Sequence, residues 1–163
     1  MQAEQLLSTL EKIYTLHRSL YDLSLEKTDF IKKGDTEALN DFIKKEQNHI
    51  SAINTLEMQR QKLAAEFLLQ KGIHTESPSL AQVIEHADEA VQKEFKEKKK
   101  ELLELTVKLK NQNELNQKLV YQSLQFVNMN LSMLQPQSEQ TNYSRPAGNK
   151  RQAAGKSMFD SKA

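Results

Sequence analysis

The sequence predicts an all-α protein: an elongated antiparallel helical hairpin of coiled-coil character, a short helix, a long third helix and a disordered C-terminal tail. Three observations predict it. Charged residues make up 28% of the 163 and aromatics 6%, with four Gly, three Pro and no Trp. A composition so poor in helix breakers favours long helices around a narrow core. Apolar residues then recur every three or four positions through three long stretches, the period of one helical face. Finally, two glycine-centred interruptions separate those stretches, and the rhythm ends at Pro136.

The first helix is expected from about Ala3 to Lys33. Its stripe reads Leu6, Leu10, Ile13, Leu16, Leu20, Leu23, Lys27 and Phe30 with Ile31, a near-heptad seam that Leu7, Tyr14 and Tyr21 widen. The segment KKGDTEAL then breaks the rhythm. Gly34 can take the left-handed conformation that closes a helix. Asp35 can cap the next helix, whose positive start suits Glu37. So short a break folds the second helix back on the first.

The second stripe reads Leu39, Phe42 with Ile43, Glu46, Ile50, Ile53, Leu56, Arg60, Leu63 and Phe67. Folding at Gly34–Asp35 sets Phe30 opposite Leu39, Leu16 opposite Ile53 and Leu6 opposite Leu63. Lys27 then falls about one turn from Glu46, and the two either pair and fix the register or both reach out to solvent.

Gly72 ends the second helix, and Ser77 or Ser79 can cap a short helix over 79–87 carrying Leu80, Val83, Ile84 and Ala87. The long helix is expected over 88–135, with Val91, Phe95, Leu102, Leu105 and Leu109 on one face. Residues 1–135 thus read as one helical domain, its hairpin spanning 3–71, and residues 136–163 as a flexible tail. That tail loses all periodicity and carries Arg145, Lys150, Arg151, Lys156 and Lys162 against Glu139 and Asp160. Met158 and Phe159 are isolated apolar anchors in it, placed to fold back on an empty binding face. Nothing else in Ser157–Ala163 has a legible role.

A formal charge of +1 argues for neither nucleic acid nor a membrane surface. No apolar run approaches the ~18 residues of a membrane span, and the start MQAEQLLSTLEK lacks the pattern of a secretory signal. Zero cysteines remove disulfides and thiolate chemistry and fit a reducing cytoplasm. His17, His49, His74 and His86 lack metal-binding spacing, with His17 and His49 falling near the hairpin seam. No phosphate loop or nucleophile motif is present. The expectation is a protein that is not an enzyme and uses no cofactor or metal.

The informative stretch is LKNQNELNQKLVYQSLQFVNMNLSML, Leu109 to Leu134. Its seam reads Leu109, Gln112, Asn116, Leu119, Ser123, Phe126, Asn130 and Met133, with Asn113, Val120, Val127, Leu131 and Leu134 beside it. Each unmatched amide buried in such a seam costs about 1–3 kcal/mol. A face of this kind tolerates water when empty and hydrogen-bonds to a partner helix when filled, and Met129 and Met133 suit an adaptable surface. The alternative is that the Asn residues set the register of the bundle itself.

The hairpin segment EKTDFIKKGDTEALNDFIKKEQNHISAINTLEMQR and the segment NQNELNQKLVYQSLQFVNMNLSML, in this order and spacing, resemble those of FlgN-type flagellar export chaperones. The resemblance covers roughly residues 20–135. It implies a cytosolic, non-enzymatic chaperone for the hook–filament junction proteins FlgK and FlgL. Such a chaperone binds their C-terminal helical segments, prevents premature assembly and brings them to the type III export apparatus. The cargo residues it implies are Asn113, Asn116, Leu119, Val120, Ser123, Phe126, Val127 and Asn130. It also implies that Tyr143, in the context TNYSRPAG, docks on the export gate FlhA, with the export ATPase complex as a further candidate partner. Two alternatives stay open: a structural coiled-coil protein, and a helical type III chaperone of the filament-cap class.

Overall fold

The structure is a computed structural model, and it describes residues 2–135. The expectations for the tail, and for Tyr143 within it, lie outside the described residues. Four helices and no strand are found among the described residues: α1 (Gln2–Lys33), α2 (Thr36–Gln70), α3 (Leu80–His86) and α4 (Glu89–Leu134). The all-α class is as the sequence predicts.

Each corner is built from the residue chemistry at the helix ends. Gly34 adopts a positive φ of 68°. Its N–H bonds to the Ile31 carbonyl and the N–H of Asp35 reaches back to Phe30, both at 3.1 Å. This paired closure satisfies the last carbonyls of α1. Asp35 then accepts from the Ala38 N–H at 3.0 Å and so opens α2. Gly72, at φ 79°, repeats the closure at the end of α2, with its N–H on Leu69 and that of Ile73 on Leu68. Of the two candidate serines, Ser79 caps α3, in a reciprocal capping box with Gln82. Asp88 precedes α4 but makes no side-chain cap; its carboxylate instead takes the Lys71 ammonium at 3.1 Å, tying the end of α2 to the start of α4.

The hairpin zips in the expected register. Leu6 and Leu63 share one core cluster. Phe30, matched to Leu39 by distance from the turn, sets its ring against Phe42 with centroids 5.2 Å apart. Lys27 does not reach out to solvent: its ammonium meets both carboxylate oxygens of Glu46, at 2.9 and 3.1 Å. Ser19 on α1 meets His49 Nε2 on α2 at 2.8 Å, while His49 Nδ1 lies 2.8 Å from the Lys45 carbonyl. A carbonyl only accepts, so Nδ1 carries a proton and donates to Lys45, which leaves Nε2 as the nitrogen that ties α2 to Ser19 of α1.

The core lies at the end opposite the hairpin turn. Leu6, Leu10, Ala64, Leu68, Val83 and Phe95 are almost wholly buried there, and Phe67 meets Phe95 edge to face at 6.4 Å. Full burial of the Leu, Val and Phe side chains among these contributes about 1.5–3 kcal/mol each. α3 plugs this end through Val83, Leu80 and Ile84, and so turns the chain without leaving the core.

α4 packs along α1 and runs parallel to it. Lys98 bonds Glu11 near one end of the contact, and Asn116 bonds Ser24 and Thr28 near the other. The Lys98 ammonium also meets Glu101 at 2.6 Å and lies over the Tyr14 ring at 5.0 Å. Glu101 first and Glu11 next hold its pKa above the ordinary lysine value. α1 therefore packs on both α2 and α4, whereas α2 and α4 do not pack closely on each other away from the closed end. At 46 residues α4 outruns α1. In the register set by Glu11–Lys98 and Thr28–Asn116, the hairpin turn at Gly34 falls near Tyr121 and Gln122, and the rest of α4 continues for about 20 Å beyond it.

Candidate helix-binding face of α4

A polar ladder closes the α1–α4 seam just before α4 runs free. Gln112 Nε2 donates to Thr28 Oγ1 at 2.7 Å, Thr28 Oγ1 donates to Asn116 Oδ1 at 2.6 Å, and Asn116 Nδ2 donates to the Ser24 carbonyl at 2.8 Å. The Thr28 hydroxyl also lies 3.1 Å from the Ser24 carbonyl, but its single proton is best placed toward Asn116; donation then runs from Gln112 through Thr28 to Asn116, and these bonds reinforce each other. Ser24, Thr28 and Asn116 are all buried. The amide of Asn116 is thus committed to α1 and helps set where α4 sits.

The other residues that the sequence marked out fall on two sides of α4. Asn113 and Val120 line a cleft of about 500 Å³ between α4 and α2, which also exposes one edge of Asn116. Leu119, Ser123, Phe126 and Val127 line a second hollow, of about 380 Å³, against Ile31 and the Lys32–Gly34 turn. The Ser123 hydroxyl donates to the Leu119 carbonyl at 2.9 Å, within its own helix. Asn130 is half-buried, well above the turn. The set is therefore not one continuous face. Asn113, Val120, Phe126 and Val127 are exposed, Val120 by 39% and Phe126 by 61%.

Burial reveals residues that sequence reasoning left out. Leu124 and Tyr121 wall the cleft, facing Leu20 of α1 and Ile50 of α2. Ile50 sits in the α2 stripe yet is 48% exposed; the signal was a stripe wider than one partner helix covers. On α4, Val120, Leu124, Val127, Leu131 and Leu134 follow spacings of four and three, and all are exposed. This is a complete apolar heptad stripe with nothing packed over it among the described residues. Met129 and Met133 add exposed, adaptable surface.

Other chemistry is sparse. Among the described residues, no group of three or more His, Asp or Glu side chains is placed to hold a metal ion. No helix among them is long and apolar enough to cross a membrane. Away from α4, Arg60 holds Glu57 through two bonds of 2.6 and 2.8 Å and draws its carboxyl below the ordinary value.

Residues 1–151 match the FlgN protein family. The chain belongs to the FlgN family. The protein YvyG of Bacillus subtilis (strain 168), itself described as uncharacterized, is 31% identical over 164 residues that take in the whole of both chains. No solved structure matches this FlgN-family chain. Membership places it among flagellar export chaperones, which serve type III export in flagellum assembly and are not enzymes. The exposed stripe of α4 is a surface suited to that class, since it offers a partner helix an apolar track without an internal competitor among the described residues.

Proposed function

We propose that this FlgN-family protein is a cytoplasmic chaperone for the hook–filament junction proteins FlgK and FlgL. It binds their C-terminal helical segments on the outer half of α4, keeps them from assembling early and delivers them to the export gate FlhA. One observation carries the reading: the heptad stripe from Val120 to Leu134 is exposed along its whole length. A helix with that pattern gains by pairing with another amphipathic helix. Asn113, Leu119, Val120, Ser123, Phe126, Val127 and Asn130 then serve cargo directly, and Asn116 serves it by fixing the position of α4. Tyr143 carries the docking on FlhA.

Calorimetric titration with the C-terminal helical segment of a junction protein tests this reading. The expected result is 1:1 binding by the unaltered chain that is lost in Val127→Asp/Leu131→Asp. A chain that pairs with itself through the stripe, seen as a stable dimer in sedimentation with no uptake of the segment, would favour a structural coiled-coil protein instead.

A further inference from the structure

The cleft between α2 and α4 begins where the free stripe begins, sharing Val120 and Leu124 with it, and runs from there toward the hairpin. Its floor is α1, at Leu20 and Lys27; one wall is Glu46 and Ile50 of α2, the other Val120, Tyr121 and Leu124 of α4. α1 packs on both neighbours, while away from the closed end α2 and α4 do not pack closely on each other, so the cleft opens between them over α1. The volume of about 500 Å³ takes a few side chains and not a helix backbone. A partner helix would therefore rest on the lips of the cleft and drop one row of side chains into it.

The lining dictates what that row contains. Leu20, Ile50, Val120 and Leu124 ask for apolar side chains. Between them lies the Lys27–Glu46 pair, with side chains 23% and 17% exposed. It still has hydrogen-bonding capacity to spare: one ammonium N–H beyond the two given to Glu46, and free lone pairs on each carboxylate oxygen. The side chains of Asn113 and Gln117 on the facing wall make no hydrogen bond among the described residues. An all-apolar helix would strip water from these groups without replacing it, which is unfavourable. A charged side chain would give up its water to face a pair whose two charges already neutralise each other, a desolvation cost with little net attraction in return.

We propose that this cleft is a second part of the cargo site, which rests on the chaperone reading above. It seats one amphipathic helix of the cargo, which turns a single uncharged polar side chain (Asn, Gln, Ser or Thr) toward Lys27–Glu46. The ion pair then reads the register of the cargo helix, while the apolar stripe beyond it supplies grip. Leu20, Lys27, Glu46 and Ile50 become cargo-binding residues on the hairpin.

The chain has no cysteine, so single thiols can be placed cleanly. Ile50→Cys is labelled with benzophenone and irradiated with the C-terminal helical segment of a junction protein. The expected product is a cross-link to that segment, near one uncharged polar residue flanked by apolar ones. Capture of a second copy of the chain, or of its own residues 136–163, would overturn the assignment. Ile50→Asp, at an exposed position that leaves the helical circular dichroism unchanged, is expected to weaken segment binding about tenfold or more. Lys27→Met/Glu46→Met keeps side-chain volume and is expected to reverse the preference of the cleft, taking the segment better when its marked polar residue is changed to Leu. Binding lost in Val127→Asp/Leu131→Asp yet unchanged in Ile50→Asp would overturn the cleft and leave the chaperone reading standing. No binding by the unaltered chain would overturn that reading, and this cargo with it.

Discussion

Thr28 and Asn116 lie 88 residues apart in the chain, yet the threonine hydroxyl donates to the Asn116 side-chain oxygen at 2.6 Å inside a buried seam. Among the described residues, Thr28 and Asn116 carry the last hydrogen bond between α1 and α4 along this seam. Below it the seam is closed by Leu105 and Leu109; above it the helix carries its apolar residues into the open.

Asn116 is therefore expected to act on stability. Asn116→Ala leaves the ladder without its central member and should lower unfolding free energy by about 1–3 kcal/mol. Asn116→Asp should cost more at neutral pH, because a carboxylate cannot donate to the Ser24 carbonyl and brings a buried charge. Urea denaturation, with an unchanged slope, measures both.

Two phenylalanines on one helix should behave in opposite ways. Phe95 is wholly buried and meets Phe67, whereas Phe126 is 61% exposed. Phe95→Ala is expected to cost about 3–5 kcal/mol. Phe126→Ala should stay within about 0.5 kcal/mol of the unaltered chain. In the proposed function Phe126→Ala also weakens cargo binding, which calorimetry reads separately.

The free stripe should tolerate charge. Val127→Asp/Leu131→Asp is expected to leave thermal unfolding nearly unchanged, since both side chains are at least half exposed. A large destabilisation in a melting experiment would mean that the stripe is covered within the chain.

Gly34 holds a backbone conformation that other residues enter at a cost. Its φ is 68°, and nothing lies within 4 Å of a Cβ added there. Gly34→Ala should destabilise by about 1 kcal/mol through the backbone alone. Gly34→Asn should recover part of that loss, because Asn tolerates the left-handed region better. Denaturant midpoints of the two variants give the comparison.

Acid should weaken the Glu57–Arg60 contact. The Arg60 hydrogen bonds hold the Glu57 carboxyl below its ordinary value of 4.5 in the folded chain. A depressed folded pKa contributes stability that is present above the unfolded value and is lost as pH falls through the folded one. Between neutral pH and strongly acidic pH, the unaltered chain should lose more stability than Glu57→Gln. Urea midpoints measured on either side of pH 4.5 test the sign.

Much of the fold was legible because it rests on local chemistry. Gly34, Asp35, Gly72 and Ser79 act at the corners within a few residues of themselves, so their roles follow from residue type and spacing. The Lys27–Glu46 pair was one of two readings, and the short turn that fixes the hairpin register decided it in favour of contact. The candidate site was less legible. Asn113 and Asn116 sit one helical turn apart in the same amide-rich run, yet one lines an open cleft and the other is buried against α1. Period alone cannot separate them, since both belong to one broad stripe. Ile50 and Leu20 escaped notice for the converse reason: each looked like an ordinary seam residue.

By itself, the sequence determined the helices, their ends, the hairpin register and the presence of an amide-studded apolar face on the last helix. These depend on interactions between residues a few positions apart or equidistant from one short turn. Only the tertiary structure decided that α4 runs parallel to α1, that its seam is closed as far as Asn116, and that the stripe beyond is bare. The physical reason is relative length and offset: α1 ends at the hairpin turn while α4 continues, and where one helix stops alongside another is set by packing at the closed end, far away in sequence.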